Sequence, residues 1–461
     1  MKEKIINYRS LALNRKTALI FILIFTTIII FDTTIVSFSS YSGVEFPTSL
    51  NIMIFVVFYI IFLIGSLILL NSVRKIVSKY AYKPAPKGLA YFQGIITGTL
   101  ILTGVIILII IFQMLLLNNY SIALLQVQTY VSHFSALVFL PFLVFLFGSW
   151  LSTKKNYVIL LYAISFSLVC VDLMIALIYL ESYFSIFSSN SPEVIPYPLS
   201  SYVINLPGSP FTESLSIAFD VFSLSSFLIM WIATSIFLSQ YRYKLGKIKY
   251  FLLISIPLIY YVFPFQNYFG DAFFSLIESS PVFYSVMYIL SFSATKQVGA
   301  LLFSLSFWTA AALVYDNRVR HSLLISSIGM AILFSSLEIT PLQYRVFPPY
   351  GLITEAFIPI GSYLLFVGIF TSATHLSRDS QLRKEFYRNV SSQLSLLKAI
   401  GVSQMEKELV EKTKSLEKHF SLSEREDYLH EQLEEENAKQ ILHEVLNELY
   451  YSKAKKGIRE S

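Results

Sequence analysis

The sequence predicts an all-α, polytopic transmembrane helix bundle of about ten helices, N-in and C-in, followed by a short helical cytoplasmic C-terminal tail. Three observations carry this prediction. Only 14% of the 461 residues are charged while 55% are hydrophobic, against roughly 25% charged in soluble domains. Apolar runs long enough to cross a hydrocarbon core of about 30 Å recur along the chain. Charge is also segregated, because residues 374–461 hold 15 of the 35 Lys and Arg and 16 of the 29 Asp and Glu. Residues 1–376 therefore read as a transmembrane domain and 377–461 as a cytoplasmic, coiled-coil-like helical tail.

Lys2, Lys4, Arg9, Arg15 and Lys16 precede the first apolar run, Thr17–Phe38. A secretory signal begins the same way, but its core is about 7–15 residues and ends in a small-x-small cleavage site. This run is longer and lacks such a site, so it reads as an uncleaved first helix. The next spans expected are Leu50–Leu70, Tyr91–Leu117, Val131–Leu151, Tyr157–Leu180 and Ser214–Leu238. Tyr250–Val262, Val298–Val314, Leu323–Leu337 and Tyr350–Ala373 complete the ten. Val282–Phe292 is too short to span and reads as interfacial or re-entrant. Gly94 and Gly98 form a GxxxG pair on the third helix, a signal for close packing within the bundle or, as the less favoured alternative, between chains. Pro141, Pro257 and Pro359 fall inside expected spans and predict kinks there.

Orientation follows from the basic residues, since short cytoplasmic loops carry an excess of Lys and Arg. With the N-terminus inside, the loops assigned to the cytoplasm hold 18 of them and the external loops hold only Lys296 and Arg345. The same placement makes 181–213 an external loop, acidic and turn-rich (Glu181, Glu193, Glu213, Pro192, Pro196, Pro198). Asn119-Tyr120-Ser121 fits a glycosylation sequon on that side.

Common enzyme signatures, including GxxxxGK[ST], HExxH and GxSxG, do not occur in the sequence. The single cysteine, Cys170, precludes an internal disulfide. The reading is of a non-enzyme with no catalytic, cofactor-binding or metal residues. A charge at the bilayer centre costs at least ~2.5–3.5 kcal/mol and marks functional positions. Asp32, Asp172, Asp220 and Glu355 meet that criterion, and all fall in the external half of the membrane under the assigned orientation. Asp172 is the deepest, about eight residues from the external end of its helix. Lys296 stands at the same border as a counter-charge, so a carboxylate-lined vestibule opening outward is expected.

In the tail, Ser423 with Glu426 announces a helix in the manner of a capping box. Ala438, Leu442, Val445 and Leu449 then recur on one face, a candidate interaction surface. Before it, apolar residues recur at Leu394, Leu397, Ile400, Met405 and Leu409, interrupted by Gly401. The stretch Leu396-Leu397-Lys398-Ala399-Ile400-Gly401-Val402-Ser403-Gln404-Met405-Glu406-Lys407-Glu408 resembles a segment of uncharacterised multi-pass membrane proteins of ammonia-oxidising archaea. The resemblance implies an archaeal cell membrane and a charged helical tail, and assigns no activity.

These features favour a receptor-like or scaffold protein that couples a membrane bundle to a cytoplasmic docking tail. The alternative is a secondary transporter for a small solute or ion that uses the acidic residues in the outer half of the membrane, although residues 17–180 and 214–373 show no sequence echo. Expected partners are the lipid bilayer and, through the tail, a cytoplasmic protein or a second copy of the chain. Nucleic acid is not expected.

Overall fold

A computed structural model describes residues 15–42, 48–80, 87–153, 156–190, 194–196, 210–239, 246–258, 294–314, 316–337, 348–378 and 400–410, with a few isolated positions between. Its elements are α1 (Arg15–Ser42), α2 (Thr48–Tyr80), α3 (Lys87–Leu117), β1 (Asn119–Ser121), α4 (Ile122–Thr153), α5 (Tyr157–Asn190), β2 (Val194–Pro196) and α6 (Pro210–Ser239). After α6 come α7 (Lys247–Ser255), α8 (Ala294–Leu313), α9 (Asn317–Ser336), α10 (Leu352–Ala356) and α11 (Ile358–Arg378). Among the described residues, eight helices are long and apolar enough to cross a membrane, and α8 adds a shorter apolar stretch, Gln297–Ala312. The chain is a membrane-embedded helical bundle.

Several elements depart from the hydropathy reading. The expected span Tyr250–Val262 begins as the nine-residue α7, about 13 Å of helix, and passes into a 3-10 turn, Ile256–Leu258. Pro257 explains the stop, because it has no amide hydrogen to continue the helical ladder. Residues 259–262 of that span lie outside the described residues, as does most of 282–292. In the expected external segment 118–130, β1 gives way at Ile122 to α4, which starts nine residues before Val131. Helix α9 likewise starts at Asn317, ahead of the apolar run, because the Asp316 carboxylate accepts from the Arg318 and Val319 amides as its N-cap.

Helices α9 and α11 form the centre. Every residue of the apolar window of the α10–α11 segment is buried, as is 89% of that of α9, whereas the figure for α2 is 33%. The outer surface of α2 and α3 instead exposes Ile60, Ile64, Ile101, Val105 and Phe112, as lipid-facing helices do. The central pair is joined backbone to backbone. A Cβ at Gly329 would stand 2.4 Å from the Leu365 nitrogen, one at Gly361 2.7 Å from that of Leu333, and one at Gly368 2.5 Å from that of Ser326. Only the absence of side chains permits this approach.

The GxxxG pair on α3 does not pack in this way. A Cβ at Gly94 or Gly98 meets nothing within 4 Å among the described residues, so the expected packing within the bundle is corrected. The spacing alone does not fix which way the helix faces. Gly94→Ala and Gly98→Ala should therefore leave the unfolding midpoint in detergent unchanged or slightly raised, since alanine improves helix propensity by up to about 1 kcal/mol. A marked loss of stability would show a contact on this face.

Contacts group the helix ends. β1 pairs antiparallel with β2, with Tyr120 opposite Ile195. Tyr130 on α4 hydrogen-bonds Glu181 on α5, and the Tyr350 hydroxyl donates to the Asn51 carbonyl at 3.0 Å. At the opposite end, the Arg15 guanidinium donates to the Ala312 carbonyl at 3.0 Å.

The chain divides into two compact units, Met1–Gln404 and Met405–Ser461. The first thus includes residues 400–404, which are helical and buried. Helix continues from 400 to 410 through Gly401, so that glycine does not break the segment. Its role is steric, because a Cβ there would lie 2.9 Å from Leu376 Cβ. In the second unit residues 405–410 are helical, while Ala438, Leu442, Val445 and Leu449 lie outside the described residues.

Candidate functional site

The last transmembrane segment is broken, and the break carries the site. Helix α10 ends at Ala356 and α11 begins at Ile358. Pro359 accounts for the interruption, since it has no amide hydrogen to bond to the carbonyl of Glu355 four residues earlier and its ring crowds that carbonyl. Phe357 at the break is fully buried, with its ring 4.9 Å from Phe25 of α1 and 4.8 Å from Phe62 of α2. On the other side of α10, Gly351 has φ +94°, a left-handed conformation costing other residues about 1–2 kcal/mol. Gly351→Ala should therefore lower stability by that amount and displace α10, read as weakened protection of the Thr354 amide in hydrogen exchange.

The break presents Thr354 and Glu355 to two other helices. From α1, Asp32 Oδ2 accepts from both the Thr354 amide (2.9 Å) and its hydroxyl (2.7 Å), and the Gly351 amide acts on the same carboxyl. From α4, the Thr129 hydroxyl donates to Glu355 Oε2 at 3.2 Å, and His133 Nδ1 stands 3.0 Å from Glu355 Oε1. The same Nδ1 lies 3.0 Å from the Thr129 carbonyl. A carbonyl cannot donate, so Nδ1 carries the hydrogen. One turn of α4 thus places Thr129 and His133 against Glu355, while its neighbours turn toward α3. There Gln128 Nε2 donates to the Thr103 hydroxyl (3.4 Å) and to Ser132 (3.0 Å).

Asp32, Thr354 and Glu355 have no exposed surface, Thr129 has 1% and His133 6%. Two carboxyls and an imidazole are thereby enclosed among three helices. Among the described residues no group of three or more His, Cys, Asp and Glu converges as metal ligands do.

The structure places Asp32 against Thr354 and Glu355, the next residue of α10, against Thr129 and His133, so the two acids meet neighbouring residues of one short helix. Asp172 is buried on α5, a helix packed mainly on α4 and α6 rather than on α1 or α10. Asp220 is exposed on α6. Lys296 lies in the first turn of α8 with its side chain outside the described residues. His133 and Thr129 are the members that sequence reasoning passed over. His133 was legible, because an imidazole in the apolar run Val131–Leu151 meets the same cost criterion as the acids. Thr129 had no signal, since it lay in a stretch read as a loop.

The opposite end of α4 holds a second polar contact. The Trp150 indole donates to Gln404 Oε1 at 3.1 Å, and the Ser403 hydroxyl donates to the Trp150 carbonyl at 3.2 Å. Residues 400–404 are thus seated on the ends of α4 and α11. Comparison of the chain with family models, curated proteins and solved structures finds no match.

Proposed function

We propose that the protein is receptor-like, coupling the buried Asp32–Glu355–His133 group to the segment that leads into the tail. The observation that carries this reading is that the same elements serve both ends. Helix α4 holds Thr129 and His133 at one end and Trp150 at the other, and α10–α11 holds Glu355 at one end and Leu376 at the other. A shift of α4 against α10 at the polar group is thus transmitted along rigid helices to the seat of residues 400–404.

Ten spans with both termini in the cytoplasm of an archaeal cell membrane complete the proposal. The 18-to-2 distribution of basic residues supports the orientation, and the resemblance of Leu396–Glu408 supports the membrane. The tail is then the docking element for a cytoplasmic protein. Affinity purification in mild detergent tests this by comparing the full chain with one ending at Gln404. Recovery of the same proteins with both would sink the docking role.

The seat itself gives a sharper expectation. Gly401→Val forces a side chain into Leu376, an overpacking of about 1–3 kcal/mol. Cleavage of the tail by added protease should accelerate roughly tenfold or more, because it tracks the opening equilibrium. An unchanged rate would show that the seat holds nothing.

A secondary transporter is the second reading, favoured by the broken α10–α11 segment with a buried acid beside the break. Reconstituted vesicles separate the two. Solute-driven proton or ion flux that Glu355→Gln abolishes supports transport, and its absence leaves the receptor-like reading.

A further inference from the structure

The Asp32–Glu355–His133 group encloses two carboxyls with one imidazole, so even a charged His133 balances only one of them. Glu355 has the imidazole for a neighbour, with His133 Nδ1 3.0 Å from Oε1 and the Thr129 hydroxyl on Oε2. Asp32 receives only neutral donors, the Thr354 amide and hydroxyl on Oδ2 and the Gly351 amide. Its Oδ1 is buried and accepts no hydrogen bond among the described residues. An ionised Asp32 would leave an uncompensated charge and an empty acceptor inside the bundle, which burial strongly disfavours.

We propose that the ligand of this site is a proton, held on Asp32 Oδ1 and exchanged with water at the end of the bundle where α1 meets α10. Uptake is balanced simply: hydronium gives its proton to Oδ1, one O–H bond forms, and water leaves. The bound proton removes the excess charge and leaves Oδ2 free to accept both Thr354 donors, as observed. A metal ion fits less well, because the two carboxyls and the imidazole do not converge as metal ligands do among the described residues.

The titratable groups at this end include Asp32 from α1, Tyr130 and His133 from α4, Glu181 from α5, Glu355 from α10, Tyr350 from the turn before it and Tyr120 from β1. The Lys and Arg residues in the described parts of α2, α9 and α11 (Arg74, Lys75, Arg318, Arg320 and Arg378 among them) lie at the opposite end. The backbone of Lys296 lies in the first turn of α8. The inference rests on reading this group as the functional site, but not on its coupling to the tail.

Infrared spectroscopy of the full chain in lipid nanodiscs tests it through the carbonyl stretch of a protonated carboxyl. At neutral pH the band should be present, shift in deuterated water, vanish in Asp32→Asn and persist in Glu355→Gln and Lys296→Gln. Sodium chloride titration should not remove it. Thr354→Val, which deletes one donor to Oδ2, should shift the band without abolishing it, and keeps the test open if Asp32→Asn does not fold. Persistence of the band in Asp32→Asn overturns the proposal, as does an unshifted band in Thr354→Val. A band absent from the natural chain, or displaced by sodium, also overturns it, in favour of an ionised carboxylate balanced by Lys296 or by a cation. Failure of the coupling reading would appear as unaltered exchange at residues 400–404 and would leave these bands in place.

Discussion

Gly361→Leu is expected to remove the folded protein from detergent extracts. The new side chain would meet the Leu333 backbone, where even a Cβ falls 2.7 Å from a nitrogen. Backbone atoms of a fully buried helix cannot yield as a side-chain tip can, so the cost should reach or exceed about 3 kcal/mol, the upper range for overpacked cores. Gly368→Leu should behave alike, because its Cβ would meet Ser326 nitrogen at 2.5 Å. Gly98→Leu provides the control, since the same insertion there meets open space. Fluorescence-detected size exclusion with a thermal ramp reads all three. A Gly361→Leu protein that elutes and melts like the natural chain would refute the central pairing of α9 with α11.

His133→Leu should be nearly as damaging. It strips the imidazole from Glu355 and leaves the carboxyl enclosed with the Thr129 hydroxyl, and breaking such buried pairs costs about 3–5 kcal/mol. Replacing both partners, His133→Leu with Glu355→Leu, should recover much of that loss, because an apolar pair leaves nothing to desolvate. Unfolding midpoints of the two singles and the double form a mutant cycle. Additive losses would mean that the 3.0 Å approach of Nδ1 to Oε1 contributes no interaction.

Much of this architecture was legible in the sequence because length and apolarity suffice to mark a membrane-crossing helix. The runs at 17–38, 50–70, 91–117 and 157–180 all fall within observed helices. Boundaries were less legible, since polar caps extend helices beyond their apolar stretch, as Asp316 does for α9. The break in the last segment could be anticipated at Pro359, but its consequence could not. Sequence spacing does not reveal that Phe357 would wedge between Phe25 and Phe62, or that Glu355 would face α4. The acids were identifiable by their cost, yet cost ranks depth and not neighbours. It favoured Asp172, whereas the group that assembles is built on Asp32 and Glu355. Likewise, glycine spacing drew attention to Gly94 and Gly98, while the close helix contact is made at Gly329, Gly361 and Gly368, which are spread over two helices and form no local motif.

Coupling between the buried polar group and the seat of the tail is tested most directly by hydrogen–deuterium exchange of the full chain in nanodiscs. The comparison is between the natural protein and Glu355→Gln, which keeps the side chain's shape but replaces the carboxyl beside His133 with an amide. Exchange at residues 354–357 reports whether the group itself has been disturbed. If α4 and α11 carry that disturbance, amides of residues 400–404 should exchange several-fold faster in Glu355→Gln. Faster exchange at 354–357 with unaltered exchange at 400–404 would contradict the coupling.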